Sequence, residues 1–162
     1  MTLVLFVCTA NRFRSPLAEA FFKAKINASG KPQGWQIESA GTWVKESLPP
    51  TPEAIEEAKK RHLDINQHTS RPVTPSLLHT ASIILTMESG QKEALIQEFP
   101  ENKGKIYHLT EVGGGVPYDI PDPYASQESP AEIARELEML VDNKFPLIYQ
   151  YFVINASGCS HS

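Results

Sequence analysis

The sequence predicts an α/β domain built on a parallel sheet, and three observations carry that expectation. Short apolar, β-branched runs alternate along the chain with segments of helical periodicity. The first run, Leu3-Val4-Leu5-Phe6-Val7, is apolar at every position, as a strand buried on both faces must be. At 162 residues the chain is short enough for one core, since single cores stop growing only beyond about 250 residues. One domain over residues 1–157 is expected, with a disordered tail over 158–162.

The elements follow in order. After the first strand ends at Cys8, a helix is marked by Ser15 as N-cap, Pro16 at the first helical position and Glu19 in the first turn. Leu17, Ala20, Phe21 and Ala24 recur at helical spacing, and Gly30 supplies the stop. Trp35 to Ser39 reads as a second strand, Pro52 to His62 as a helix, and Ala81 to Leu85 as a third, buried strand. Gln91 to Phe99 reads as a helix closed by Pro100, and Lys105 to Leu109 as a short fourth strand. Residues 110–129, with three consecutive glycines, three prolines and several acids, are too irregular for an element and read as a functional loop. A last helix is expected from Pro130 to Ile154.

Composition narrows the function. Fifteen basic and nineteen acidic side chains leave a net charge of −4. Residues 1–35 nevertheless hold five cations against Glu19, a local +4, so the remainder carries −8. An acidic chain with a few clustered cations fits a small anionic ligand and speaks against nucleic acid. No apolar stretch reaches 18 residues, so no membrane segment is expected and the cytoplasm is the expected location. Cys8 and Cys159, far apart in sequence, make neither a disulfide framework nor a paired-Cys zinc site, and no recognised His spacing suggests a metal or cofactor.

Chemistry concentrates in Cys8-Thr9-Ala10-Asn11-Arg12-Phe13-Arg14-Ser15-Pro16. Five residues between Cys8 and Arg14 let the loop curl with its N–H groups inward and the following helix N-terminus aimed at the same point, a cradle for a tetrahedral oxyanion. Arg14 can clamp two of its oxygens, and the positive surroundings favour a Cys8 thiolate beneath a bound phosphate. A phosphomonoester also needs an acid for its leaving oxygen. In the acidic loop, Asp122 stands between Pro121 and Pro123 on a stiff backbone, with Tyr124 as an aromatic wall; Asp119 is the rival acid.

With these residues in place the sequence resembles the low-molecular-weight protein tyrosine phosphatase family over roughly residues 3–154. Cys8 to Pro16 matches the family's loop, Asp122-Pro123-Tyr124 its acid motif, Ser39-Ala40-Gly41-Thr42 and His68-Thr69-Ser70-Arg71 two further stretches, all in family order. The resemblance implies a three-layer sandwich, a four-stranded parallel sheet flanked by helices, and a two-step metal-free phosphomonoesterase acting on a phosphorylated protein or small aryl phosphate. By that analogy Cys8 attacks phosphorus, Asp122 is acid and then base, Arg14 and the loop amides hold the oxyanion, and Ser15 assists the thiolate as leaving group. Asn11, Ser39 and His68 are implied as loop support, with Asn11 left-handed.

The chain also departs from the family pattern. Ala10 stands where many members have Gly, a strained choice if its φ is positive. Phe13 replaces a second Cys that could trap an oxidised nucleophile. Arg12 at the pocket rim either favours substrates with acidic neighbours or is simply solvated, and Trp43 is expected to face Tyr124 as a second wall. The alternatives are a protein arginine phosphatase, whose cationic substrate Arg12 would repel, and, less favoured, an arsenate reductase, which needs more Cys residues, or a catalytically weak phosphate-binding module.

Overall fold

The computed structural model describes residues 1–158. Four strands, β1 (Thr2–Cys8), β2 (Trp35–Gly41), β3 (Ile83–Thr86) and β4 (Ile106–His108), form one sheet in the order β2-β1-β3-β4. Every pairing is parallel, with Cys8 opposite Gly41 and Val7 opposite Thr86. The helices are α1 (Arg14–Ala28), α2 (Pro52–Lys59), α3 (Pro75–Thr80), α4 (Ser89–Glu98) and α5 (Pro130–Gly158), with 3₁₀ turns at Pro100–Lys105 and Leu109–Glu111. The expected four-stranded α/β architecture is the one observed.

The alternation of β1 divides the core into two layers. Val4, Phe6 and Cys8 face α1 and α5, where Leu17, Phe21, Phe22, Leu137 and Val141 pack, while Leu3, Leu5 and Val7 face Leu78, Leu95 and Phe99 of the opposite layer. Each such large side chain taken fully out of water contributes about 1.5–3 kcal/mol. Because Cys8 is the last residue of the central strand, this packing fixes its Cα on both sides.

Several boundaries differ from expectation for local reasons. Helix α1 starts at Arg14, two residues early, with Phe13 at the N-cap and no capping side chain. Ser15 is therefore not the cap; its hydroxyl turns inward instead. Helix α2 stops at Lys59 because His62 takes a left-handed φ of 60° and Leu63 N–H returns to the Ala58 carbonyl. Helix α3, capped by the Thr74 hydroxyl, was not expected at all. Helix α5 continues through Pro146 to Gly158, so the residue at which the tail was expected to begin is helical, and 159–162 lie outside the described residues.

Helix α2 is tied to α5 by a partly buried ion cluster. Arg61 donates from Nε to Glu138 at 2.8 Å and from Nη1 to the Glu57 carboxylate at 2.9 Å, and Lys60 reaches Glu57 at 3.0 Å. Burial opposes ionisation of Glu57, but the bonds from Arg61 and Lys60 outweigh it and hold its carboxyl below the ordinary 4.5. A depressed carboxyl adds stability that is complete above its unfolded value and disappears as pH falls through its folded one. Glu57→Gln is thus expected to cost about 2 kcal/mol at pH 7. Urea melts of the two proteins should converge as pH falls progressively below the ordinary carboxyl value of 4.5; a difference that stays constant throughout the acid range would assign the loss to packing instead.

Candidate active site

In a parallel sheet, ligands collect outside the carboxyl ends of the strands where the chain order reverses. Here the chain leaves β1 toward β2 on one side, while β3 and β4 lie on the other. The crevice therefore opens above Cys8, between the loop 9–13, the start of α2 and the acidic loop.

Asn11 shapes that loop. Its φ is 59°, a left-handed conformation that Asn tolerates, and it is fully buried. Its N–H donates to Cys8 Sγ at 3.2 Å; its Nδ2 donates to Ser15 Oγ at 2.8 Å and to Ser39 Oγ at 3.0 Å. Oδ1 accepts from Arg71 N–H at 3.0 Å, and the carbonyl oxygen pairs with His68 Nε2 at 2.8 Å. A carbonyl only accepts, so His68 carries its proton on Nε2. Every polar group of Asn11 is thus used in holding one strained residue. Ala10, by contrast, is not among the described non-glycine residues with positive φ, so it needs no glycine.

The same network aims Ser15. Its Oγ lies 3.0 Å from Cys8 Sγ and already accepts from Asn11, which leaves its own proton for the sulfur. Against a thiolate, only Ser15 can be the donor.

A second support comes from β2. Thr42 N–H donates to the Cys8 carbonyl at 2.9 Å and Trp43 N–H to the Thr9 carbonyl at 3.0 Å. A Cβ on Gly41 would meet that Thr9 carbonyl at 2.5 Å, so only glycine lets the two segments approach. Trp43 contributes its backbone here. Its ring is largely exposed, with Lys45 Nζ 4.9 Å from its centroid, and it is not among the residues lining the cleft.

Arg14 is buried, and its Nη1 is taken by Glu88 Oε2 at 3.0 Å and the Ile120 carbonyl at 2.8 Å. These two partners come from the start of α4 and from the acidic loop, so both set the guanidinium. Arg12 is tied down as well: Nε donates to the Pro49 carbonyl at 2.8 Å, while its own carbonyl accepts from Thr51 N–H at 3.0 Å.

The cleft above Cys8 encloses about 390 Å³ and is lined by Ala10, Arg12, Phe13, Arg14, Asp122 and Tyr124, together with Thr51, Pro52 and Glu53. Phe13 and Tyr124 meet edge to face at 5.9 Å, and the Tyr124 hydroxyl lies 2.7 Å from both Thr51 Oγ1 and Glu53 Oε2. Burial pushes the Tyr124 hydroxyl up to about 12, opposed by the bond with Thr51 and assisted by the Glu53 and Asp122 carboxylates. The bond from Tyr124 in turn holds Glu53 below the ordinary carboxylate range.

The two rival acids are separated by their surroundings. Asp122 lines the cleft with Cys8 and caps its own turn, accepting from Tyr124 N–H at 2.9 Å. Asp119 is not a lining residue: its Oδ1 accepts from Ser89 N–H at 2.8 Å and lies 3.2 Å from His108 Nε2. The Ser89 bond first, and then His108, keep its carboxyl below the usual value despite burial. Among the described residues, no helix is long and apolar enough to cross a membrane.

Some contributors were not expected from sequence. Gly41 and Arg71 stand in stretches already singled out, but Glu88, Gln91, Thr51 and Glu53 carried no local signal beyond their places at a strand end or a helix start.

The comparisons agree with this geometry. The family model for low molecular weight phosphotyrosine protein phosphatase matches residues 3–146. The protein-arginine-phosphatase of Bacillus subtilis (strain 168) is 33% identical over 121 residues, 75% of this chain and 79% of the relative. The probable low molecular weight protein-tyrosine-phosphatase EpsP of Ralstonia nicotianae is 31% identical, covering 83% of this chain and 86% of its own. The crystal structure of low molecular weight protein tyrosine phosphatase from T. tengcongensis superposes with a TM-score of 0.81 at 37% identity, over 93% of this chain and 99% of that one. Since the match runs through both the loop after β1 and the acidic segment after β4, no part of the cleft falls outside it, and the chain belongs to the low molecular weight phosphotyrosine protein phosphatase family.

Proposed function

We propose that this chain is a protein tyrosine phosphatase that forms a phosphocysteine on Cys8, with Asp122 as general acid and base. The carrying observation is the Ser15 hydroxyl, oriented by buried Asn11 and placed 3.0 Å from Cys8 Sγ, which serves a sulfur that is a thiolate at both ends of a cycle. In the first step the thiolate attacks phosphorus in line, the S–P bond forms, the P–O bond to the aryl group breaks, and Asp122 protonates the departing oxygen. In the second, water attacks phosphorus while Asp122 takes its proton, the S–P bond breaks, and inorganic phosphate and the thiolate are released. The loop amides between Thr9 and Phe13, apart from that of Asn11, whose N–H is given to Cys8 Sγ, and the Arg14 guanidinium stabilise the equatorial oxygens in both steps.

Ser39 and His68 act as loop support through Asn11. Phe13 and Tyr124 make an aromatic wall suited to a phenyl leaving group, and the exposed Trp43 ring is left for the surface around it. The working unit is one domain over residues 1–157. A nucleophile that must stay a free thiol suits the reducing cytoplasm.

A second reading, protein arginine phosphatase, has one observation in its favour: the ionised Glu53 carboxylate at the cleft mouth suits a cationic leaving group. Matched peptides carrying phosphotyrosine or phosphoarginine decide between them. The expected result is kcat/KM at least about tenfold higher for phosphotyrosine. The reverse ratio would transfer the assignment to phosphoarginine, and turnover of neither would remove both.

A further inference from the structure

We infer that Gln91 is a positioning residue for the oxyanion cradle, joining α4 to the loop and to Arg14 through one saturated amide; the inference rests on the phosphatase reading of that site. Gln91 is the third residue of α4, and its side chain is buried. Its Oε1 accepts from Met87 N–H at 2.9 Å and Glu88 N–H at 3.0 Å; its Nε2 donates to Thr9 Oγ1 at 3.0 Å and Glu88 Oε2 at 2.8 Å. Two acceptor positions and two protons are the whole capacity of a primary amide, so the group has one orientation and no slack. A flipped amide would press its NH₂ against two backbone N–H groups.

The two acceptors of that NH₂ are the ones the cradle needs fixed. Thr9 follows the nucleophile directly, and Glu88 Oε2 is the same oxygen that receives Arg14 Nη1. A helix cap alone would use only the Oε1 half of the side chain. The Nε2 half does something else: it sets the distance between the end of β3 and the loop after β1 across the crevice, and with it the direction in which the guanidinium presents its remaining N–H groups. A displacement of about 1 Å in such a group can cost on the order of 100-fold in rate.

Two substitutions separate the halves. Gln91→Ala removes both, whereas Gln91→Glu keeps an oxygen for the Met87 and Glu88 N–H groups and loses both donors, so it tests the cradle even if the alanine variant folds poorly. Steady-state kinetics with an aryl phosphate, the Ki of inorganic phosphate and Tm are measured on each, alongside wild type. The expected result is a fall in kcat of about 10- to 100-fold in both variants, equal for good and poor leaving groups, with a weaker Ki for phosphate in both. Kinetic constants within twofold of an active wild type, whatever happens to Tm, would overturn the inference and leave the phosphatase reading intact. A wild type that binds phosphate but does not turn over, with binding weakened in the variants, would do the opposite. A wild type that neither binds nor turns over would overturn both.

Discussion

Cys8→Ser is expected to lower kcat for aryl phosphates by at least about 10⁴-fold while inorganic phosphate still binds. The asymmetry follows from which atoms are changed. The substitution replaces one sulfur at the end of β1, where burial on both faces and the Thr42 bond to the residue 8 carbonyl hold the backbone. Arg14, held by Glu88 and Ile120, and the amides after Asn11 are untouched, so the oxyanion keeps its partners. A serine hydroxyl next to Ser15 has no base of comparable placement, because the Asn11 backbone N–H and Ser15 Oγ are arranged to donate toward position 8 and not to accept from it. Isothermal titration with phosphate and a continuous aryl phosphate assay on the same preparation check both halves. Retained turnover within tenfold would remove Cys8 from the nucleophile's role, and lost binding with lost turnover would indicate a collapsed loop.

The parts of this site that were legible from sequence are those whose cause is local. Leu3 to Val7 must be a doubly buried strand because no position in it tolerates water, and the crevice position follows once a helix start is recognised just after it. Ser15 shows the limit of that logic. Ser before Pro is a sound N-cap pattern, yet the hydroxyl had a stronger partner in Cys8, reachable only because the loop folds back through left-handed Asn11. Helix α3 escaped notice because six residues are too few for a periodic pattern, its boundaries being set by the Thr74 cap and the return to β3. The chemistry of Trp43 suggests a wall, whereas its N–H bonds the Thr9 carbonyl and its ring is exposed, with Lys45 Nζ over its face. Glu88 and Gln91 were out of reach altogether: their partners Arg14 and Thr9 lie 74 and 82 residues away, and no spacing rule connects them.

Asp122→Ala should separate substrates by leaving group. For a phenolate that departs readily without a proton, kcat/KM is expected to fall by about tenfold or less, and for a poorly departing alkyl-substituted phenolate by about 10³-fold. Asp119→Asn is the decisive companion. Its Oδ1 is committed to Ser89 N–H and His108, and these bonds keep it ionised to lower pH than a free aspartate, so it has no proton to give where the enzyme works. Its loss should loosen the acidic loop, including the Ile120 carbonyl that takes Arg14, and slow both substrates by a similar, smaller factor. Because a depressed carboxyl withdraws its contribution only as pH falls through its folded value, wild type and Asp119→Asn should become more alike as pH falls below the ordinary aspartate value of 3.8. The reverse pattern, a leaving-group split in Asp119→Asn and a uniform loss in Asp122→Ala, would move the acid three residues upstream. It would also require the Ser89 and His108 bonds to open in every turnover, which a solvent isotope effect on the Asp119-dependent rate would expose.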